Sequence, residues 1–215
     1  MSGLVLEVVS IRPGAAAQPL FAPLDLTVAA GSITTLMGAS GIGKSTLVDF
    51  VGGHLAAGFE ATGRVLLGGR DVTRLPAEAR RIGILFQDAL LFPHLSVGDN
   101  LSFGLAQRIG GRRARRIAVE AALDQAGLGG FHDRDPATLS GGQRARAALM
   151  RTLMADPAAL LLDEPFSKLD PALRSELREF VFDHVRARAI PVLLVSHDRE
   201  DASAAGGPVV LLAER

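Results

Sequence analysis

The densest chemistry in the chain lies in nine consecutive residues, Gly38-Ala39-Ser40-Gly41-Ile42-Gly43-Lys44-Ser45-Thr46. They fit the pattern G-x-x-x-x-G-K-[ST] of a phosphate-cradling loop. Glycines at 38, 41 and 43 let successive backbone N–H groups curl around a polyphosphate. A helix starting at Lys44 points its positive dipole end at the same anion. Lys44 brings a slim ammonium to the outer phosphates, and the Ser45 hydroxyl stands where it can ligate Mg²⁺. At this composition the bare pattern arises by chance about 0.002 times per chain, so it is specific.

Further along, Ala159-Leu-Leu-Leu162-Asp163-Glu164 reads as a buried strand that delivers two adjacent carboxylates at its end. Beside a Mg²⁺–triphosphate, Asp163 would hold the metal through water and Glu164 would accept a proton from attacking water. Such acids also end ordinary strands, and the phosphate loop earlier in the chain is what gives them weight. A third feature is Leu139-Ser140-Gly141-Gly142-Gln143, which opens a helix with Ser140 as N-cap and two bare glycine N–H groups in its first turn. That is a second helix N-terminus suited to an anion, although a plainly capped helix has the same signature.

These groups need a scaffold, and the apolar pattern supplies one. Leu4–Val9, Leu24–Val28, Ser32–Met37, Gly63–Leu67, Ile82–Phe86, Ala159–Leu162, Val192–Val195 and Val209–Leu212 read as strands, with a loop over Arg12–Pro23. The last four are near-continuous apolar runs, as expected where helices cover both faces of a sheet. Ser45–Val51, Ile117–Ala126 and Gly141–Met154 read as helices. From about Ala89 to Asp156 strands stop and helical patterns take over. The layout is an α/β core, residues 1–88 and 157–215, interrupted by a helical insertion over 89–156 within a single 215-residue domain.

Composition excludes several function classes. The 23 basic and 23 acidic residues balance, so no long-range field marks a nucleic-acid partner. Cysteine is absent, which removes disulfides, thiolate metal sites and a cysteine nucleophile. His54, His94, His132 and His184 lack metal-ligand spacing. The run Gly110-Gly-Arg-Arg-Ala-Arg-Arg116 suits a solvated helix start better than a nucleic-acid or lipid site at zero net charge. Apolar stretches reach only five or six residues at Ala158–Leu162 and Ile190–Val195, against the roughly 20 of a membrane-spanning helix. The N-terminus carries no secretory pattern, so a cytoplasmic location is expected. Of the 23 basic residues only Lys44 and Lys168 are lysine.

Together the motifs resemble those of ABC transporter ATP-binding subunits. Gly38–Thr46 is similar to Walker A, Leu139–Gln143 to the LSGGQ signature, and Leu160–Glu164 to Walker B. Gln87 in Gly83-Ile-Leu-Phe-Gln87-Asp88 resembles the Q-loop glutamine, Ser167-Lys-Leu-Asp170 the D-loop, and Ser196-His197-Asp198 the switch histidine. The resemblance implies a P-loop NTPase fold: a RecA-like parallel sheet, an N-terminal antiparallel β subdomain and an inserted helical subdomain. It also implies a head-to-tail homodimer that sandwiches two ATP molecules with Mg²⁺. Gly38, Ala39, Ser40, Gly41, Gly43, Lys44, Ser45 and Thr46 would bind nucleotide in one chain. Ser140 and Gly142 would reach the γ-phosphate from the other, with Gln143 and Asp170 in the same contact set.

Under the same resemblance Glu164 would polarise water, His197 would hold the γ-phosphate, and Gln87 would sense Mg²⁺ and water. Ser45, Gln87 and Asp163 form the implied metal set. The implied partners are integral-membrane permease subunits and, indirectly, a solute-binding protein, with no nucleic acid. They would hold the chain against the inner face of the cell membrane. The stretch Gly83–Leu101 looks like importers of small solutes such as thiamine, ferric ion, molybdate or polyamines. Asp88–Phe92 and Asp135–Arg146 look most like a thiamine-type branch. The last strand ends at Leu212, which implies a form without an extra C-terminal regulatory domain. A soluble ABC ATPase acting on ribosomes or DNA repair is the alternative, but it usually carries two ATPase modules or a long coiled coil. A binding-only module would not need Glu164 and His197.

Two residues depart from the family pattern. The family stacks adenine on an aromatic near Arg12-Pro13-Gly14, yet the chain has no Tyr or Trp, and Phe21 lies close to the next strand. Either Pro13 or the Arg12 stem would replace it or stacking would be weak, with looser discrimination between ATP and GTP. Lys168 stands where a small D-loop residue is usual, and reads as an exposed loop lysine or a rim contact across the dimer.

Overall fold

A computed structural model describes residues 3–14, 17–105 and 109–213. Met1 and Ser2, where the N-terminus was read for a secretory signal, and residues 15–16 of the Arg12–Pro23 loop lie outside the described residues. The chain divides into two compact units. The first comprises Met1–Ile84, Ala158–Glu164 and Phe182–Arg215, and the second comprises Leu85–Pro157 and Pro165–Val181.

The first unit holds two sheets. Strands β1 (Leu4–Pro13), β2 (Leu24–Val28), β4 (Phe59–Leu67) and β5 (Arg70–Asp71) form an antiparallel sheet in the order β2-β1-β4-β5. β2 alternates strictly between buried and exposed residues, as a sheet covered on one face requires. β1 is longer than its apolar pattern suggested, because a bulge carries it on. Val8 is the extra residue, with φ 47°, and both pairings of β1 shift register across it. Gly63 on β4 accommodates the bulge: a Cβ there would lie 2.5 Å from the Val8 carbonyl oxygen.

The second sheet contains β3 (Ile33–Met37), β6 (Ile82–Leu85), β7 (Ala159–Asp163), β8 (Val192–Val195) and β9 (Val209–Leu211) in the order β6-β7-β8-β3-β9. β7 pairs parallel to β8, and β8 and β9 pair parallel to β3. β8 is buried throughout and β7 nearly so, which explains their unbroken apolar sequence. β9 differs from the expectation of cover on both faces: Val209 and Leu211 are 50% and 72% exposed. As the edge strand it has β3 as its neighbour on one side alone, so apolar sequence does not guarantee burial there. Helices α1 (Lys44–Gly52) and α7 (Arg199–Ala205) follow β3 and β8, and the one-turn α2 (Ala77–Arg80) precedes β6. The core joins inward residues of both sheets, including Leu6, Ile11 and Leu36, and Phe21 of the β1–β2 loop to the α1 residues Leu47 and Val51.

The second unit is helical. It contains α3 (Val97–Gly104), α4 (Arg112–Gln125), α5 (Gly141–Met154) and most of α6 (Pro171–Ala187). α3 and α5 approach closely, since a Cβ on Gly104 would lie 2.2 Å from the Arg151 carbonyl oxygen. Fully buried Asn100 pins the loop before α3: it accepts from the Phe92 N–H and donates to the Phe92 and Ser96 carbonyls. The sequence reading placed 165–181 with the core, whereas these residues cluster with the helices. The cause is packing. Leu173 fills the space beside Gly142, and Arg146 ion-pairs with Glu176 and stacks over Phe180.

Candidate nucleotide site

Within the first unit, three neighbouring parallel strands end side by side. Asp163 pairs with Val195, and Val195 with Leu36, so β7, β8 and β3 reach their C-terminal ends in register. Two hydrogen bonds extend the ladder past the strand ends: Glu164 N–H donates to Val195 O at 2.9 Å, and Ser196 N–H to Leu36 O at 3.2 Å. Everything attached just beyond these ends therefore shares one edge of the sheet. This is the position where open α/β sheets hold ligands.

β3 leads into the loop 38–43. Gly43 has φ 104° and ψ 18°, a left-handed conformation, and it starts α1 without any side-chain cap. The first-turn N–H groups of α1 thus keep no side-chain acceptor of their own, which suits an anion. Ala39, Ser40, Gly41 and Ser45 are exposed, and Gly38, Gly43 and Thr46 are half-buried. Lys44 is buried, and its Nζ donates to Gly38 O at 3.0 Å and Ala39 O at 2.9 Å. The ammonium is held against the carbonyl side of the loop.

Ser45 and Asp163 meet across the site, with Ser45 Oγ donating to Asp163 Oδ1 at 3.2 Å. Burial pushes the Asp163 carboxyl above the usual range, and the nearby Glu164 and Asp49 carboxylates add to the rise. Ser45 and Lys44 oppose it. The site therefore favours neutralising charge at Asp163, and a divalent cation would do so. Hydroxyl and carboxylate oxygens are the donors Mg²⁺ prefers, and Mg²⁺ ordinarily completes its shell with water and substrate phosphate. No group of three or more His, Cys, Asp or Glu side chains converges as a metal centre among the described residues. Ser45 and Asp163 thus fit a Mg²⁺ ion that arrives with a nucleotide.

Glu164 has φ 45°, a left-handed backbone that costs a residue other than glycine about 1–3 kcal/mol. Its Oε1 lies 3.2 Å from His197 Nδ1. His197 is exposed, in the turn between β8 and α7. That turn is braced on both sides: Ser196 Oγ donates to buried Asp201 Oδ2 at 2.6 Å and accepts from Asp198 N–H at 3.0 Å. Asp198 in turn caps α7 by accepting from Glu200 N–H at 2.8 Å. The motif Ser-His-Asp flagged the histidine but gave no sign of its support by Asp201.

The remaining expected residues lie in the second unit. Ser140 and Gln143 close a reciprocal capping box on α5. Gln143 N–H donates to Ser140 Oγ at 3.3 Å, and Ser140 N–H donates to Gln143 Oε1 at 3.0 Å. Gly142 is buried under Leu173, leaving no room for a side chain. Asp170 caps α6 by accepting from Leu173 N–H at 3.0 Å. Gln87 Nε2 donates to Ser167 Oγ at 2.9 Å, and Lys168 Nζ meets Asp88 Oδ1 at 2.5 Å. Gln87, Asp88 and Lys168, with Phe86, Leu90 and Leu169, line a cleft of about 280 Å³. The two contacts join neighbouring residues to neighbouring residues, a pairing no local pattern announces.

The two expected substitutes for the adenine-stacking aromatic, Pro13 and the Arg12 stem, differ in how they are held. The Arg12 guanidinium is tied to Glu60 Oε2 by Nη2 at 2.6 Å, Phe21 is fully buried, and Pro13 is exposed. No helix among the described residues is long and apolar enough to cross a membrane.

Comparison with known proteins agrees with this geometry. A family profile described as ABC transporter matches residues 21–167. The chain is 55% identical over 185 residues to an uncharacterized ABC transporter ATP-binding protein, YnjD, of Escherichia coli, covering 86% of this chain and 85% of the relative. It is 42% identical over 211 residues to the thiamine import ATP-binding protein ThiQ of Jannaschia sp., covering 97% of this chain and 88% of that one. It is 40% identical over 191 residues to the Fe(3+) ions import ATP-binding protein FbpC 1 of Haemophilus influenzae, covering 88% of this chain and 57% of that one.

Proposed function

The chain belongs to the ABC transporter family of ATP-binding subunits, and from that premise we propose how its residues divide the work. As a member it binds and hydrolyses ATP and powers an importer of a small solute through membrane permease subunits. Among the substrates named for these relatives, thiamine best suits the fragments Asp88–Phe92 and Asp135–Arg146. The chain works at the cytoplasmic face of the membrane, bound to the permease.

The observation that carries the reading is the shared edge of β3, β7 and β8, where Lys44, Ser45, Asp163, Glu164 and His197 come together. The N–H groups of the loop from Gly38 to Gly43 and of the first turn of α1, with Ser45 and Thr46, wrap the phosphates. Lys44 exchanges its carbonyl contacts for phosphate oxygens. Mg²⁺, when bound with ATP, would supply charge neutralisation for the phosphates. Ser45 and Asp163 are the residues that would hold it. Glu164 orients the attacking water and takes its proton, and His197 steadies Glu164 and the γ-phosphate. Ser140, Gly142, Gln143 and Asp170 act on the nucleotide of a second copy in a head-to-tail dimer.

Glu164→Gln tests the assignment. The amide keeps size and cannot accept the proton, so turnover should fall at least about 100-fold. ATP binding should persist, and the protein should elute as a dimer with ATP and Mg²⁺ in size-exclusion chromatography. Unchanged turnover would remove Glu164 as the base.

A further inference from the structure

Helix α1 begins at the phosphate loop without a side-chain cap, and has no basic residue in its last turn to complement the carbonyl end of its dipole. The cation there comes from elsewhere in the chain. Arg80, the last residue of α2, is buried, and its Nη1 donates to Phe50 O at 2.7 Å and Val51 O at 2.9 Å. These are carbonyls of the last turn of α1. The rest of the guanidinium is committed as well: Nε donates to Leu75 O at 2.8 Å and Nη2 to Thr73 O at 2.6 Å.

The surroundings are shaped around this side chain. The turn after α1 passes through Gly53 at φ 87°, where a Cβ would lie 2.8 Å from Arg80 Nε and 3.1 Å from its Cζ. Immediately after Arg80 the chain enters β6, and Arg81 O accepts from Ala158 N–H at 2.7 Å, just ahead of β7. One arginine thus ties the far end of the phosphate-loop helix to the segment that leads into the sheet carrying Asp163. A lysine cannot replace the fork, because the three donors on its single nitrogen cannot serve these four spread carbonyls at once.

We propose that Arg80 is a positioning residue for nucleotide binding: by holding the C-terminal turn of α1, it sets where Lys44 and Ser45 stand at the other end. The mechanism is rigid-body. Nine helical residues span about 13 Å, and α1 moves as a unit, so a shift at Phe50 and Val51 is carried to the loop. Misplacement of a binding group by about 1 Å is enough to cost a large factor in a reaction. The proposal rests on the reading of Gly38–Thr46 as the ATP site, and its test separates the two.

The test measures the dissociation constant of a fluorescent ATP analogue with Mg²⁺, on the full chain, alongside the thermal unfolding midpoint. Arg80→Lys keeps the charge and loses the fork. It should weaken binding about 5- to 50-fold at a temperature where circular dichroism shows the variant folded. Gly53→Ala leaves Arg80 in place but drives a methyl into its guanidinium, and should weaken binding in the same direction by a smaller factor. This variant also covers the case in which Arg80→Lys does not fold. Lys44→Ala is the control for the site itself and should abolish binding. If Lys44→Ala binds like the parent chain, both the site and the proposal fall. If Lys44→Ala loses binding while the folded Arg80 and Gly53 variants bind normally, with lower midpoints alone, Arg80 is structural and only the proposal falls.

Discussion

Helices α1 and α5 both start on glycine-rich sequence, and the chain finishes their N-termini in opposite ways. α1 has left-handed Gly43 at its cap position and no side chain closing it, and its first-turn lysine lies buried on loop carbonyls. α5 is closed by Ser140 and Gln143, which satisfy each other's backbone N–H groups. The first N-terminus is held open by its own unit and needs only an anion. The second is complete as it stands, and its cap must give way, or offer the remaining glycine N–H groups, to act on a phosphate. Two anion-ready patterns in a sequence are therefore not equivalent. One is left open to an anion within its own unit, and the other is closed on itself and, in the proposed dimer, would face a partner copy.

Gly43→Ala is the strongest way to break this contrast. Its Cβ would sit 2.8 Å from Leu20 Cδ1 at a backbone φ of 104°, so the open N-terminus of α1 must distort. The variant should lose about 1–2 kcal/mol of stability in denaturant titration. ATP binding should fall at least about 10-fold, since the loop is proposed to supply most of the phosphate donors. Normal binding by this variant would mean the open N-terminus is not what receives the anion.

Ser140→Ala acts on the other helix and should separate binding from turnover. Losing the cap costs about 1 kcal/mol. ATP affinity of the chain at low concentration should stay within about twofold, because in the proposed dimer α5 would serve the nucleotide of a second copy. Steady-state hydrolysis should fall about 10-fold or more, as for loss of one donor to a transition-state anion. Parallel loss of affinity and turnover would erase the distinction between α1 and α5.

What was legible in the sequence follows the same divide. The placement of residues fixed by local spacing was readable, as with the loop Gly38–Thr46 and the strand end carrying Asp163 and Glu164, because the element that holds them is encoded beside them. Burial in β7 and β8 was readable from unbroken apolar runs. Residues whose meaning comes from distant partners were not. Arg80 looks like any arginine before a strand, and its four carbonyl acceptors come from segments 5 to 30 residues away. The bulge at Val8 was hidden because a β-branched residue argues against a left-handed backbone, and only Gly63 on a neighbouring strand makes room for it. β9 shows the converse: its sequence matches a buried strand, and its place at the sheet edge leaves it exposed.

The two lysines bring the comparison down to single side chains. Lys44 is buried on the Gly38 and Ala39 carbonyls, while Lys168 is more than half exposed and pairs with equally exposed Asp88. A planar guanidinium has no room in the loop, but it can bind a carboxylate with two parallel hydrogen bonds. Lys44→Arg should therefore lose ATP binding, whereas Lys168→Arg should keep turnover within about twofold. Lys168→Ala should cost about 0.5 kcal/mol, and a double-mutant cycle with Asp88→Ala should give a coupling of similar size that disappears at about 1 M salt. A coupling that survives high salt would show that the pair is shielded from solvent in the working protein, and that Lys168 belongs with Lys44 among the lysines no arginine can replace.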